Sequence, residues 1–404
     1  MFRHPSLHGL QELHLDHNKL FELSQDVFTS LGKLKILHID NNMISAIHMG
    51  SFSQQRNLEE LSLHDNQSVL VHENIFRNLI NLHHLTLCRN NLTYLHNTIF
   101  HSLKKLEVLD LSYNELKIID NNLFSFQTKL EILNVSDNSI ATIQTEAFNS
   151  LVELRILSLS NNNIKHISSS TLSYMQNLEY LFVDHNNMEF FPNRNEIVEL
   201  KSLKQLDISS NNFHLLFKEV FRKLPTLQYL NIQNNYLRHL GDVFMSLVEL
   251  VDLKLDNNEI RTFSSSTFSS LRKLRTLSLS RNNLTELDNL SVRKLEMLQT
   301  LDLSFNNIAR VDMMFATSSQ LKSLFLNNNI INWIGLDLLK NLAELRYLNL
   351  NYNSINSLSM NLFKSQNRLQ FLLLSNNNIN CVHVNSLFPL KNIKEFDLSV
   401  NPLV

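Results

Sequence analysis

Leu10-Gln11-Glu12-Leu13-His14-Leu15-Asp16-His17-Asn18 sets a pattern, L-x-x-L-x-L-x-x-N, that returns every 23 to 25 residues along the 404-residue chain. The closing asparagine is present in all seventeen copies: Asn18, Asn42, Asn66, Asn90, Asn114, Asn138, Asn162, Asn186, Asn211, Asn235, Asn258, Asn282, Asn306, Asn329, Asn353, Asn377 and Asn401. The first apolar position runs from Leu10, Leu34 and Leu58 to Leu369 and Ile393. Its step is 24 residues except for one of 25 and two of 23.

The alternation Leu13-His14-Leu15 predicts a short strand with one apolar and one polar face. Every repeat returns in the same direction, so the strands are expected to stack in parallel about 4.8 Å apart. No single repeat can bury its own leucines, and the core exists only in the stack. Asparagine at the strand exit brings two donors and an acceptor to the turn backbone of its own and the neighbouring coil. An aspartate would lack the donors, and a leucine would leave those groups unpaired. These asparagines are therefore expected to hold the fold.

A second column lies eighteen residues after the first leucine: Phe28, Phe52, Phe76, Phe100, Phe124, Phe148, Phe221, Phe268 and Phe363. Phe244 and Phe315 take the same place in the 23-residue repeats. Rings stacked on the side opposite the strands account for 25 phenylalanines against one tryptophan.

The nine-residue motif resembles the signature of leucine-rich repeats, and the 24-residue period with a late phenylalanine resembles their typical subclass. That subclass belongs mostly to extracellular proteins: Toll-type receptors, slit-like guidance factors, chaoptin-like adhesion proteins and insect immune proteins. The resemblance implies an α/β solenoid, a horseshoe with about 17 short parallel strands on its concave face and irregular or short helical convex segments. Residues 1–404 are read as one such solenoid of 17 repeats.

Extracellular members of the family carry cysteine-rich caps at both ends. Here the only cysteines are Cys88 and Cys381. They lie twelve repeats apart, on the order of 50–60 Å at strand spacing, too far for a disulfide. Both caps are missing, and Asn401-Pro402-Leu403-Val404 resembles the entry to a C-terminal cap. The chain is therefore expected to be a fragment or incomplete version of something longer. The start, Met1-Phe2-Arg3-His4-Pro5-Ser6-Leu7, holds no apolar run of signal-peptide length, and no 18-residue apolar stretch predicts membrane insertion.

A net charge of −2 with interleaved signs gives no reason to expect nucleic acid as a partner. With five glycines and no phosphate-cradling loop, nucleophile elbow or H-E-x-x-H, no enzyme activity, cofactor or dedicated metal site is expected.

The residues between the motif leucines are expected on the concave face, free of the demands of the core. One group there is aromatic: Phe305, Phe325, Tyr347, Tyr352, Phe371 and Leu373, read as variable strand positions in four adjacent repeats. They form an anchor for a partner, or pack on each other and bind nothing, or are covered by a flanking cap. The other group is rich in histidine: His14, His17, His38, His64, His83 and His84, among Asp16, Asp40, Asp65, Glu59 and Glu60. One stacked column reads Asp16, Asp40, His64, Cys88. Such a surface can change charge between pH 7 and 5 or hold zinc, or it is plainly solvated.

Five sequons are present. Asn91, Asn283 and Asn289 are expected where a glycan is tolerable, Asn66 buried and unmodified, and Asn134 mid-strand. The 25-residue repeat contains Phe190-Phe191-Pro192-Asn193-Arg194-Asn195-Glu196, with Ile197 in the phenylalanine place. This is a distorted loop that either tolerates a length change or carries contacts.

The expected function is recognition of a protein ligand or co-receptor by the concave face, as part of an extracellular or membrane-attached receptor or adhesion protein. A Toll-like innate immune ectodomain and a cytoplasmic scaffold are the alternatives. The missing signal peptide and free cysteines favour the scaffold, and the repeat subclass opposes it.

Overall fold

The computed structural model describes residues 2, 4–67, 72–192, 199–264, 266–286, 292, 294–312 and 319–404. Phe315, Asn289 and the stretch 193–197 of the irregular repeat lie outside the described residues. Two compact units divide the chain, Met1–Leu203 and Lys204–Val404.

Among its described residues the first unit carries eight three-residue strands, from Glu12–His14 and Ile36–His38 through to Ile156–Ser158 and Tyr180–Phe182. They pair in parallel with a shift of one repeat, so that Leu13 faces Leu37 and Leu61 faces Leu85. The described residues of the second unit carry nine, from Gln205–Asp207 to Phe371–Leu373 and Glu395–Asp397, paired in the same way. Each strand begins one residue before the Leu-x-Leu alternation suggests. The leucine that closes the alternation still joins the ladder: the Leu15 amide donates to the His38 carbonyl at 2.8 Å. Between the two terminal repeats the motif leucines are sealed from solvent, Leu58, Leu61 and Leu63 among them, whereas Leu10, Leu13 and Leu15 of the first repeat are half-buried. Burial of each sealed leucine contributes about 1.5–3 kcal/mol.

Leaving the strand, every one of the seventeen repeats places the residue before the ladder asparagine at positive φ. The values run from 51° at His185 to 56° at Asn328, and no glycine is used. Such a conformation costs an L-residue about 1–2 kcal/mol. The asparagine that follows meets this turn with a dense set of bonds. Asn114 Nδ2 donates to the carbonyls of Leu111 and Ser112 in its own coil and to Leu87 in the coil before, at 2.9, 3.1 and 3.0 Å. Its Oδ1 accepts from the amides of Asn90 and Leu92 at 3.0 and 2.9 Å. Asn258 repeats the arrangement in the second unit, donating to Ile232, Leu255 and Asp256 and accepting from Leu237.

On the opposite side the phenylalanines form ring stacks. Centroids are 6.0 Å apart between Phe100 and Phe124 and 6.1 Å between Phe124 and Phe148. Phe221, Phe244 and Phe268 continue the pattern in the second unit. Three residues beyond a column phenylalanine, the buried glutamines Gln55, Gln127 and Gln366 add a link that sequence reasoning missed. Each Nε2 donates to a carbonyl of the preceding coil, Phe28, Phe100 and Leu339 respectively, at 2.6–2.7 Å. Among the described residues, regular helix is confined to the single turns Ser169–Leu172 and Val384–Leu387 and the 3-10 turn Pro5–Leu7. Among the described residues, four pairs of two-residue strands, such as Glu22–Leu23 with Ala46–Ile47, line the return segments.

Candidate functional site

In the second unit the strand register sorts the exposed side of the sheet into two rows. One row reads Thr300, Ser323, Tyr347, Phe371, Glu395, and the other Asp302, Phe325, Asn349, Leu373, Asp397. Tyr347 lies between Phe325 and Phe371, with ring centroids 5.1 and 5.7 Å away and both rings tilted by 40°. All three are half-buried, and Leu373 flanks them two residues along from Phe371. Phe305 and Tyr352 are not strand residues, contrary to the sequence expectation. Each is the positive-φ residue of its turn, at 55° and 53°, because it directly precedes a ladder asparagine. Both are exposed, and the Arg281 guanidinium lies over the Phe305 ring at 4.3 Å.

Burial holds the Tyr347 phenol above its ordinary value, and the Glu395 carboxylate adds to the effect. The tyrosine therefore presents a neutral hydroxyl on an apolar island. Acids bound that island. Burial raises the Asp302 carboxyl, against the pull of the Ser304 hydroxyl and amide, which it accepts at 2.6 and 2.8 Å. A raised folded-state value means that the folded chain binds the proton more tightly than the unfolded chain. Stability from this group therefore grows as pH falls through the raised value toward the ordinary one. Asp302→Asn keeps the acceptor for Ser304 without the buried charge. The variant is expected to be at least as stable as the parent at pH 7, with its advantage shrinking toward pH 4. Urea midpoints of both proteins at the two pH values check this.

In the first unit the histidines separate into groups. His14 and His38 are register partners, and their rings meet edge to face with centroids 4.9 Å apart. His38 Nε2 lies 2.8 Å from Glu60 Oε1. His64 instead sits in a hydrogen-bonded column running from repeat to repeat. The Asp40 amide donates to Asp16 Oδ1 at 2.9 Å, the His64 amide donates to Asp40 Oδ1 at 2.6 Å, and His64 Nδ1 lies 2.7 Å from Cys88 Sγ. Burial, with Asp110 and Asp40 nearby, pushes the Cys88 thiol up to about 12, so it stays protonated and can donate to the imidazole. His17 is exposed at a positive-φ turn, and His84 is exposed at the start of its strand. His83 lies off the strand beside Lys35, Glu59 and Lys105, lining an open depression of about 420 Å³.

Asn91 and Asn283 are exposed, whereas Asn66 is buried and donates to the carbonyls of Ile39, Leu63 and His64. Asn134 closes the strand Ile132–Asn134, half-buried, and accepts from the Ser136 amide. Cys88 and Cys381 are both free thiols. Among the described residues no helix is long and apolar enough to cross a membrane.

The leucine rich repeat family model matches residues 8–67, 80–140, 128–188, 201–260, 249–308 and 319–379. The chain belongs to that family. Trophoblast glycoprotein of Mus musculus is 35% identical over 69 residues, which is 17% of this chain and 16% of that protein. The chain thus spans about a sixth of the length of this curated relative. A chain of the glycosylated Toll–Spatzle complex of Drosophila superposes with a TM-score of 0.82 at 23% identity, covering 98% of this chain and 55% of that one. A leucine-rich-repeat protein of Leptospira interrogans gives 0.65 at 25% identity, over 90% and 91% of the two chains. The first of these structural likenesses is one of fold alone.

Proposed function

We propose that this chain is the recognition scaffold of an extracellular or membrane-attached receptor or adhesion protein, and that it binds a protein ligand or co-receptor on the exposed side of its sheet. The observation that carries the proposal is the trio Phe325, Tyr347 and Phe371. Three half-exposed aromatics on adjacent strands, ringed by Asp302, Asn349 and Asp397, combine an apolar centre with a polar rim. That is the anatomy of a binding hot spot. The rings rest on strands whose other face is the leucine core, so the surface is preformed and little ordering is needed on binding. The matched Toll–Spatzle complex, described as a hub in development and innate immunity, supports a protein ligand and keeps a Toll-like immune ectodomain as a form of this reading.

The test uses two matched baits for capture and mass spectrometry, the parent and a triple variant carrying Phe325→Ala, Tyr347→Ala and Phe371→Ala. A secreted or cell-surface partner is expected to bind the parent at least about tenfold more tightly than the variant, the loss typical of a hot spot. Retained hydrogen-exchange protection in the variant shows that the sheet is intact. If both baits return the same cytosolic proteins, the extracellular reading fails and a cytoplasmic scaffold takes its place, a setting that the two free thiols would suit.

A further inference from the structure

We propose that His14, Asp16 and His38 form a site for a divalent transition ion of the Zn²⁺ class, closing a clip between the first two strands of the first unit. Each residue offers one ligand atom, and the three atoms lie within 4.8 Å of one another. The arrangement follows from the register. His14 and His38 are direct cross-strand partners, so the two imidazoles share one side of the sheet at adjacent positions. Asp16 leaves the same strand two residues after His14, and its carboxylate is held from behind by the Asp40 amide on Oδ1. Oδ2 lies 4.0 Å from His14 Nδ1.

Two imidazole nitrogens and one carboxylate oxygen suit Zn²⁺, Co²⁺ or Cu²⁺ better than Mg²⁺ or Ca²⁺, which favour all-oxygen shells. Bond lengths of about 2.0–2.2 Å put the ligand atoms of a tetrahedral ion roughly 3.3–3.5 Å apart, so the site must contract by about 1.5 Å at its widest. His14 can supply that movement, since 54% of its side chain is exposed. The surroundings favour a cation further. Glu60 at 2.8 Å from His38 Nε2 stands where an outer carboxylate fixes the tautomer and orientation of a ligating histidine. Glu12 Oε2 lies 4.0 Å from His14 Nε2. Among the described residues, no lysine or arginine forms an ion pair with Glu12, Asp16 or Glu60. Three protein ligands leave a fourth position open to water or to a donor from outside the chain.

The experiment titrates the full chain, stripped with a chelator, with Co²⁺ followed by absorbance, and then with Zn²⁺ in competition followed by calorimetry. One saturable site is expected, with a visible d–d band that Zn²⁺ quenches. His14→Ala and His38→Ala should each weaken binding by about a hundredfold or more, and Glu60→Gln by about tenfold, the usual range for an outer partner. His239→Ala, in the second unit, serves as the control and should leave binding unchanged. His14→Ala alters a half-exposed side chain, so it keeps the test decisive even if His38→Ala perturbs the sheet. Absence of saturable Co²⁺ or Zn²⁺ binding overturns the proposal. So does a single site indifferent to His14→Ala.

Discussion

Replacing Asn114 with alanine is expected to cost the first unit about 2–4 kcal/mol, since it strips partners from several buried backbone groups at once. Three carbonyls, of Leu87, Leu111 and Ser112, lose their donor, and the amides of Asn90 and Leu92 lose their acceptor. Asn114 is 7% exposed, so water cannot freely replace those bonds. Asn114→Asp distinguishes bonding from shape. It keeps the acceptor, removes the donors and buries a charge, and should be no better than alanine. Urea unfolding gives the total. Hydrogen exchange gives the location, with protection lost first at Asn90 and Leu92 and at the next coils in either direction. A change below about 0.5 kcal/mol, the scale of an ordinary surface substitution, would sink the assignment of this asparagine as a tie between coils.

Phe124→Ala is expected to be costlier, about 3–5 kcal/mol, because it removes a fully buried ring from the middle of a stack. Phe124 is 1% exposed and has a ring on each side, Phe100 and Phe148. The cavity cannot be filled by a simple slide of neighbours, since each neighbour is tied to its own coil. The buried Gln127 amide, which donates to the Phe100 carbonyl, sits three residues away and would lose its packing too. Phe124→Leu should recover more than half of the loss. Equilibrium unfolding of the two variants checks the order. Equal losses for leucine and alanine would mean that ring stacking, rather than filled volume, is what the column contributes.

How much could be read in advance depended on whether a requirement fell on a side chain or on the backbone. Asn114 and Phe124 recur in kind because their chemistry is what each coil consumes, and repetition made them visible. The turn residue before each asparagine is as constant in conformation, and ten of the seventeen are Asn, Asp or His, which tolerate it best, yet Arg89, Phe305, Tyr352 and Val400 share no such chemistry. At Phe305 and Tyr352 the side chain itself gives no sign of a positive φ, and the motif spacing alone places both on strands. Gln55, Gln127 and Gln366 were invisible for another reason, since three scattered copies do not announce a column. At the candidate sites the pairing of Tyr347 with Phe371 followed from register, whereas the diagonal contact of Phe325 with Tyr347 depended on how the rings turn. The separation of His64, taken by Cys88, from His14 and His38 depended on side-chain rotation, which the repeat pattern does not carry.

The turn row also gives each coil one side chain that stays outside the core. A glycine would sit in each of those seventeen turns without strain. Not one is found there, although the chain accepts five elsewhere. Ten of the seventeen are Asn, Asp or His, which accept the conformation more readily than other side chains, and the remaining seven are Arg, Tyr, Phe, Ser or Val. Each coil keeps a side chain at the rim, in places stacked on its neighbour, as Arg89 is over Tyr113 at 4.2 Å. The rim is thus a second line of text beside the strands, one letter per coil, whose spelling the scaffold biases toward Asn, Asp and His without dictating it.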